Sequence, residues 1–255
     1  MHTIISWFFT VFYVPLFWGI LVAFHPLQML ALPLGYGPHK FVLDLMNLCL
    51  IINFRTVGTR FRVRFEYTPP EGVPLILVSN HQSMYDIPFI IWIMRRYHPK
   101  FISKKELGRW IPSISFALRN MGSVLIDRND QAQSIAAIEA FARSCNEKNF
   151  SAVIFPEGTR ARDGKMRSFK SAGLLTLSRQ MPEAQIIPIA LDGSWELVRY
   201  NLFPVPFGRT VTFTVLPPVS PSEFQGKALV KECERAIRTS LGQQTAPAEP
   251  AITQA

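Results

Sequence analysis

Apolar and polar positions follow two regimes along this chain. Between residues 3 and 39 no Asp, Glu, Lys or Arg interrupts a run of Phe, Trp, Leu, Val and Ile. Its first part, residues 4–24, has the length needed to cross a hydrocarbon core of about 30 Å. Pro15 predicts a kink in that segment, and His25-Pro26 and the cluster at 34–38 predict breaks after it. A second apolar run, 41–54, is short for a crossing and carries Asp44 and Asn47. One true span and a two-helix hairpin dipping into one leaflet both fit, and the hairpin is preferred. A cleavable signal peptide is not expected, because no Lys or Arg precedes the run and no clean small-residue cleavage site follows it.

From Thr59 the pattern becomes regular. Residues 59–67 alternate basic and apolar positions, as a half-exposed strand does. Short apolar runs follow at 74–79, 100–103, 122–126, 152–155, 186–191 and 210–216. Helical periodicity lies between most of them, at 87–96, 112–120, 131–148 and 169–180. A last helix is predicted over 221–241, with Phe224, Leu229, Val230, Cys233, Ile237 and Leu241 at helical spacing. This alternation predicts an α/β fold: a mostly parallel or mixed central sheet of about seven strands, flanked by helices. Three regions follow: membrane-anchoring apolar helices over 1–54, an α/β domain over 55–241, and a disordered tail over 242–255, rich in Ala, Gln and Pro.

The charge narrows the partner. A formal net charge of +9 predicts an anionic one. A basic body joined to an apolar N-terminus fits a bilayer with anionic headgroups, whereas no zinc-ligand spacing or RNA-binding signature supports nucleic acid. Arg55, Arg60, Arg62 and Arg64, just after the apolar segment, place the globular part on the cytoplasmic face. Cys49, Cys145 and Cys233 are odd in number and far apart, which suits a reducing compartment and small apolar roles.

Candidate chemistry sits at strand ends. Asn80-His81-Gln82-Ser83-Met84-Tyr85-Asp86 follows a buried-looking strand. In a continuous helix His81 and Asp86 would lie roughly 140° apart and could not pair. Asp86 as a helix N-cap before Ile87-Pro88 leaves His81 on a loop able to fold back onto the carboxylate, giving a general base. Taken alone, the motif reads equally as a plain strand-to-helix loop. A strand ending in Asp127-Arg128 puts an ion pair where a phosphate could be met. Phe155-Pro156-Glu157-Gly158-Thr159-Arg160 offers a Gly able to take positive φ, a planar guanidinium for an anion, and a carboxylate beside it. Pro188 predicts an edge strand or a bulge over 187–190, with a packing role as a wall of an acyl site expected rather than chemistry. Among Arg95, Arg96, Lys100, Lys104, Lys105 and Arg109, most are expected to be solvated surface, with Lys104 or Lys105 free to reach a phosphate. The charged stretch 162–167 is expected to be a loop near the bilayer.

In this order the motifs resemble the glycerolipid acyltransferase family that includes the 1-acylglycerol-3-phosphate acyltransferases. The Asn-His-x4-Asp signature matches at Asn80, His81 and Asp86; the strand-Asp-Arg motif at Gly122, Ile126, Asp127 and Arg128; FPEGTR at 155–160; and the Ile-Pro-Ile strand at 187–189. The resemblance covers roughly 75–193. It implies acyl transfer from acyl-CoA or acyl carrier protein to the sn-2 hydroxyl of lysophosphatidic acid, with His81 as base and Asp86 orienting it. It also implies a phosphate pocket of Arg160, Glu157, Gly158 and Thr159, with Arg128 and Lys105. No cofactor and no metal are implied. Oxyanion donors are expected among backbone N–H groups near the first motif. Another lysophospholipid or a lyso-aminolipid as acceptor, and a non-catalytic lipid-binding membrane module, are the competing expectations. The chain contains no G-x-S-x-G elbow, which argues against a serine hydrolase.

Overall fold

The computed structural model describes residues 2–127 and 130–243. All seven predicted strands form: β1 (Arg60–Phe65), β2 (Leu75–Ser79), β3 (Pro99–Lys104), β4 (Val124–Ile126), β5 (Ser151–Ile154), β6 (Gln185–Asp192) and β7 (Thr210–Val215). They make one sheet in the order β1-β7-β6-β2-β5-β3-β4. Pairing is parallel throughout except between β6 and β7, which are antiparallel, so the sheet is mixed. Strands β2 to β6 therefore all end at one edge, and that is where a site is expected in such sheets.

Both faces of the sheet are covered, which is why β2 reads as an unbroken apolar run. Ile76 and Val78 join a core beneath the helices α5 (Gln131–Glu147), α6 (Ser171–Gln180) and α7 (Lys227–Ser240). Leu75 and Leu77 point the other way, into a core with α3 (Asp86–Ile93) and the N-terminal helices. A short α4 (Ile114–Asn120) packs beside those helices.

The N-terminal segment is a hairpin of α1 (His2–Ala31) and α2 (Tyr36–Asn53), turned at Gly35. The break expected at His25-Pro26 does not occur. Both Pro15 and Pro26 lie inside α1, each removing one donor from a helix that otherwise runs on. By length and composition, residues 3–34 are apolar enough to cross a membrane. The hairpin is not detached from the sheet. Tyr13 and Phe54, 1% and 0% exposed, are part of the core above α3.

Three further expectations are corrected. Pro188 lies in β6, an interior strand, not at an edge. The bulge alternative holds instead, on the stretch that follows β7: between the Ile189–Val215 and Ile186–Val219 pairs, residues 216–218 oppose residues 187 and 188. Leu216 donates to the Pro188 carbonyl, and Pro217 and Pro218 have no N–H to pair. Lys100 is not solvated surface but is 3% exposed on β3. The last helix begins at Lys227, not Pro221, because Gly226 (φ 55°) closes a separate turn before it. The tail expected over 242–255 lies outside the described residues from 244 on; Gln243 accepts from the Met166 N–H and donates to the Gly164 carbonyl.

Candidate active site

At the carboxyl edge of β2 the chain turns into Asn80 and His81. Asn80 is 1% exposed and fixes this turn to the end of β6: its amide donates to the Leu191 carbonyl and accepts from the Leu191 N–H, both at 2.8 Å. His81 then folds back, as its spacing from Asp86 requires. Its Nδ1 lies 2.8 Å from Asp86 Oδ2. With Nδ1 bound to a carboxylate, Nε2 is the nitrogen left to accept a proton. The His81 ring stacks on Phe155, centroids 4.1 Å apart and planes inclined by 19°, so it is held on its face as well as its edge.

Asp86 does not cap its helix as expected. Tyr85 holds the cap position, Asp86 is the first helical residue, and its carboxylate reaches back into the loop. Oδ2 accepts from His81 and from the N–H groups of Gln82 and Ser83, at 2.7 and 2.9 Å. Oδ1 accepts from Ser83 Oγ at 3.3 Å and Ser194 Oγ at 2.5 Å. Five donors hold a carboxylate that is fully buried, the condition under which a buried charge persists. The His81 side chain keeps 12% exposure. One member of the pair is thus reachable from outside and the other is not.

Glu157 is the second correction at the site. It was expected beside Arg160 in an anion pocket, but it is 3% exposed and turned inward. One oxygen accepts the His81 N–H at 2.8 Å and the other accepts the Arg167 N–H at 2.9 Å. Ala161 donates to the His81 carbonyl at 2.7 Å. The turn after β5 therefore brackets the His81 peptide on both sides, which explains why two motifs far apart in sequence belong together. Burial pushes the Glu157 carboxyl up to about 7, against the two N–H bonds that favour its charge. The N–H groups of His81, Gln82 and Ser83 are all engaged by carboxylates, so these three are not the oxyanion donors expected near this motif.

Gly158 takes φ +70°, as expected, and a Cβ there would stand 3.4 Å from Lys170 Nζ. Lys170 is thus a cation at this turn that the sequence reading passed over. Arg160 is half-buried and Thr159 exposed on the same turn. Lys105 is exposed, just past β3 on the same sheet edge, and is not brought into contact with the dyad. Neither Arg160 nor Lys105 has an ion-pair partner among the described residues. Asp127 ends β4 along this edge, and Arg128 lies outside the described residues. No group of three or more His, Cys, Asp or Glu among the described residues could hold a metal ion.

Ser194 was missed because no motif marks it. Gly193 makes it possible: its φ is +82° and a Cβ there would meet the Thr210 carbonyl at 2.2 Å, so only Gly lets β6 turn this way and aim Ser194 at Asp86.

Comparison with known proteins gives the family and the fold. Residues 60–192 match the acyltransferase family model. The chain is 32% identical over 153 residues to a 1-acyl-sn-glycerol-3-phosphate acyltransferase of Limnanthes douglasii, covering 58% of this chain and 51% of that one. It thus spans about half the length of that plant relative. It is 28% identical over 180 residues to the like-named protein of Salmonella typhimurium, covering 70% of each. The crystal structure of the 1-acyl-sn-glycerophosphate (LPA) acyltransferase PlsC of Thermotoga maritima shares the fold, with a TM-score of 0.77, 22% identity, and coverage of 96% of this chain and 100% of that one.

Proposed function

The chain belongs to the acyltransferase family, and from that premise we propose that it transfers a fatty acyl group from a thioester to the sn-2 hydroxyl of lysophosphatidic acid, giving phosphatidic acid. The observation that carries this reading is the 2.8 Å contact between His81 Nδ1 and the buried Asp86, which leaves Nε2 as the free basic nitrogen. Nε2 takes the proton of the acceptor hydroxyl as its oxygen attacks the thioester carbonyl carbon. The new C–O bond forms, the tetrahedral intermediate collapses, and the C–S bond breaks. The imidazolium returns the proton to the departing thiolate of CoA or acyl carrier protein. Asp86 stabilises the imidazolium between those two transfers.

Arg160, on the turn bonded to the His81 peptide, and Lys170 beside Gly158 offer positive charge to the acceptor's phosphate. A phosphomonoester suits two cations better than a diester does. The hairpin of α1 and α2 lies in the bilayer with the sheet on the cytoplasmic side, consistent with its uncharged first 39 residues after the N-terminus and with Arg55, Arg60, Arg62 and Arg64 behind it. Purified protein offered labelled acyl-CoA and acyl carrier protein in turn, against lysophosphatidic acid and zwitterionic lysolipids, tests the reaction and both substrates. His81→Ala should lower the rate by about 10²–10⁴-fold while the protein stays folded. Substantial transfer by the folded variant removes the general base, and a clear preference for a zwitterionic acceptor removes the phosphatidic acid assignment.

A further inference from the structure

Trp110 is the most exposed large hydrophobic residue described, at 95%, and it lies outside the hairpin. Its φ of 71° holds a bulky side chain in the left-handed region. The loop around it, residues 104–113, follows β3 at the same sheet edge as His81. It carries exposed Lys104, Lys105 and Arg109, and exposed Arg119 donates to the Gly108 carbonyl beneath it. The far end of the loop is bolted to α1. Ser113, itself at φ 60° and fully buried, donates its N–H to His25 Nδ1 at 3.0 Å and its hydroxyl to the Leu21 carbonyl at 2.6 Å. Those contacts tie the loop to the second half of α1, where Val22, Leu27, Met29 and Leu30 stand exposed. With that exposed face of α1 in a bilayer, the loop held beside it meets the same interface.

We propose that this loop is a second membrane contact, with Trp110 as an interfacial anchor and the surface of an anionic phospholipid bilayer as its partner. An indole places an apolar body in the acyl boundary and a donor among headgroups, and the flanking cations meet lipid phosphates. The contact fixes the height of the β3 edge above the bilayer, and with it that of the neighbouring active-site loops. This inference rests on the membrane placement of the hairpin proposed above.

The full chain is bound to phosphatidylcholine vesicles with and without phosphatidylglycerol, and tryptophan emission is compared with that of Trp110→Phe. The difference spectrum isolates Trp110 from Trp7, Trp18, Trp92 and Trp195. The expected result is a Trp110 component that is quenched by lipids brominated high on their chains, is shielded from aqueous acrylamide, and shifts to shorter wavelength when phosphatidylglycerol is present. A component open to acrylamide and blind to brominated lipid, while the remaining tryptophans are quenched, overturns the loop contact and leaves the hairpin's placement standing. A Trp110 component that instead responds only to an added acidic acyl carrier protein likewise overturns it. Failure of the chain to sediment with vesicles, with no tryptophan quenched, overturns the membrane placement itself and this inference with it.

Discussion

At the residue scale the His81–Asp86 pair depends on groups that hold it more than on its own two side chains. Ser194 touches no reacting atom, yet its hydroxyl is 2.5 Å from Asp86 Oδ1. A hydrogen bond to a charged group is worth about 1.5–3 kcal/mol, so Ser194→Ala should lower kcat by about 10–100-fold with little change in KM. Ser194→Thr keeps the hydroxyl and should restore most of the lost rate. A Thr variant as slow as the Ala variant would reduce Ser194 to packing. Glu157 makes a different prediction. Its folded value of about 7 lies above the usual 4.5, so the proton is held more tightly in the folded chain and stability falls as pH rises from about 4.5 to about 7. Glu157→Gln cannot accept both N–H groups and should be the less stable protein at low pH. The gap between the two should narrow by on the order of 3 kcal/mol across that window. Parallel melting curves from pH 4 to pH 8 would show that Glu157 does not titrate there. The His81–Asp86 pair was legible because both residues sit in one short motif whose spacing excludes a straight helix. Glu157 was misread because its neighbour in sequence, Arg160, suggested an ion pair, whereas the donors it meets are backbone N–H groups that leave no trace in sequence. Ser194, in another strand's exit, had no signal beyond the Gly before it.

At the element scale every strand was legible, since apolar runs in a sheet covered on both faces stand out from their turns. What failed was polarity read one residue at a time. Lys100 looked like surface because it sits in a basic stretch, but a strand alternates its faces and Lys100 points inward. Its ammonium donates to Tyr36 Oη at 3.0 Å and lies over the rings of Tyr36 and Phe150, 4.7 and 4.5 Å from their centroids. The Tyr36 hydroxyl in turn lies 2.8 Å from His98 Nδ1. Burial holds the Lys100 amine down to about 8. Tyr36 opens α2, so this trio ties the hairpin to the far end of the sheet. Tyr36→Phe strips the ammonium of its only hydrogen bond among the described residues and should destabilise the chain by about 1–3 kcal/mol. In a Lys100→Met background the same change should cost less than half as much, because no buried charge is left unpartnered. Thermal melts of the four proteins measure this coupling; equal costs in both backgrounds would mean the phenol acts by packing alone.

At the scale of the whole molecule the hairpin belongs to the site's foundations. The sequence separates an apolar segment from an α/β domain at residue 54, since composition changes there and nothing in a linear pattern reports a packed interface. In the structure Phe54, fully buried, meets Tyr85 edge-on with centroids 4.5 Å apart, and Phe17 of α1 meets the same ring at 6.1 Å. Tyr85 immediately precedes Asp86. The two N-terminal helices thus form the wall against which the start of α3 is set, and α3 carries the carboxylate that orients His81. Two consequences can be separated. Phe54→Ala in the full chain should cost about 3–5 kcal/mol as a large aromatic is lost from a filled core. It should also lower transfer by more than its effect on membrane binding, because the apolar outer face of the hairpin is untouched. A chain starting at Arg55 loses Tyr13, Phe17 and Phe54 together and uncovers the apolar face of α3, so it should elute as aggregate rather than as a folded monomer, even in detergent. If that chain instead melts cooperatively as a monomer and transfers acyl groups to detergent-dispersed substrate, the hairpin is only a tether. The packing around Tyr85 then contributes nothing to the placement of Asp86.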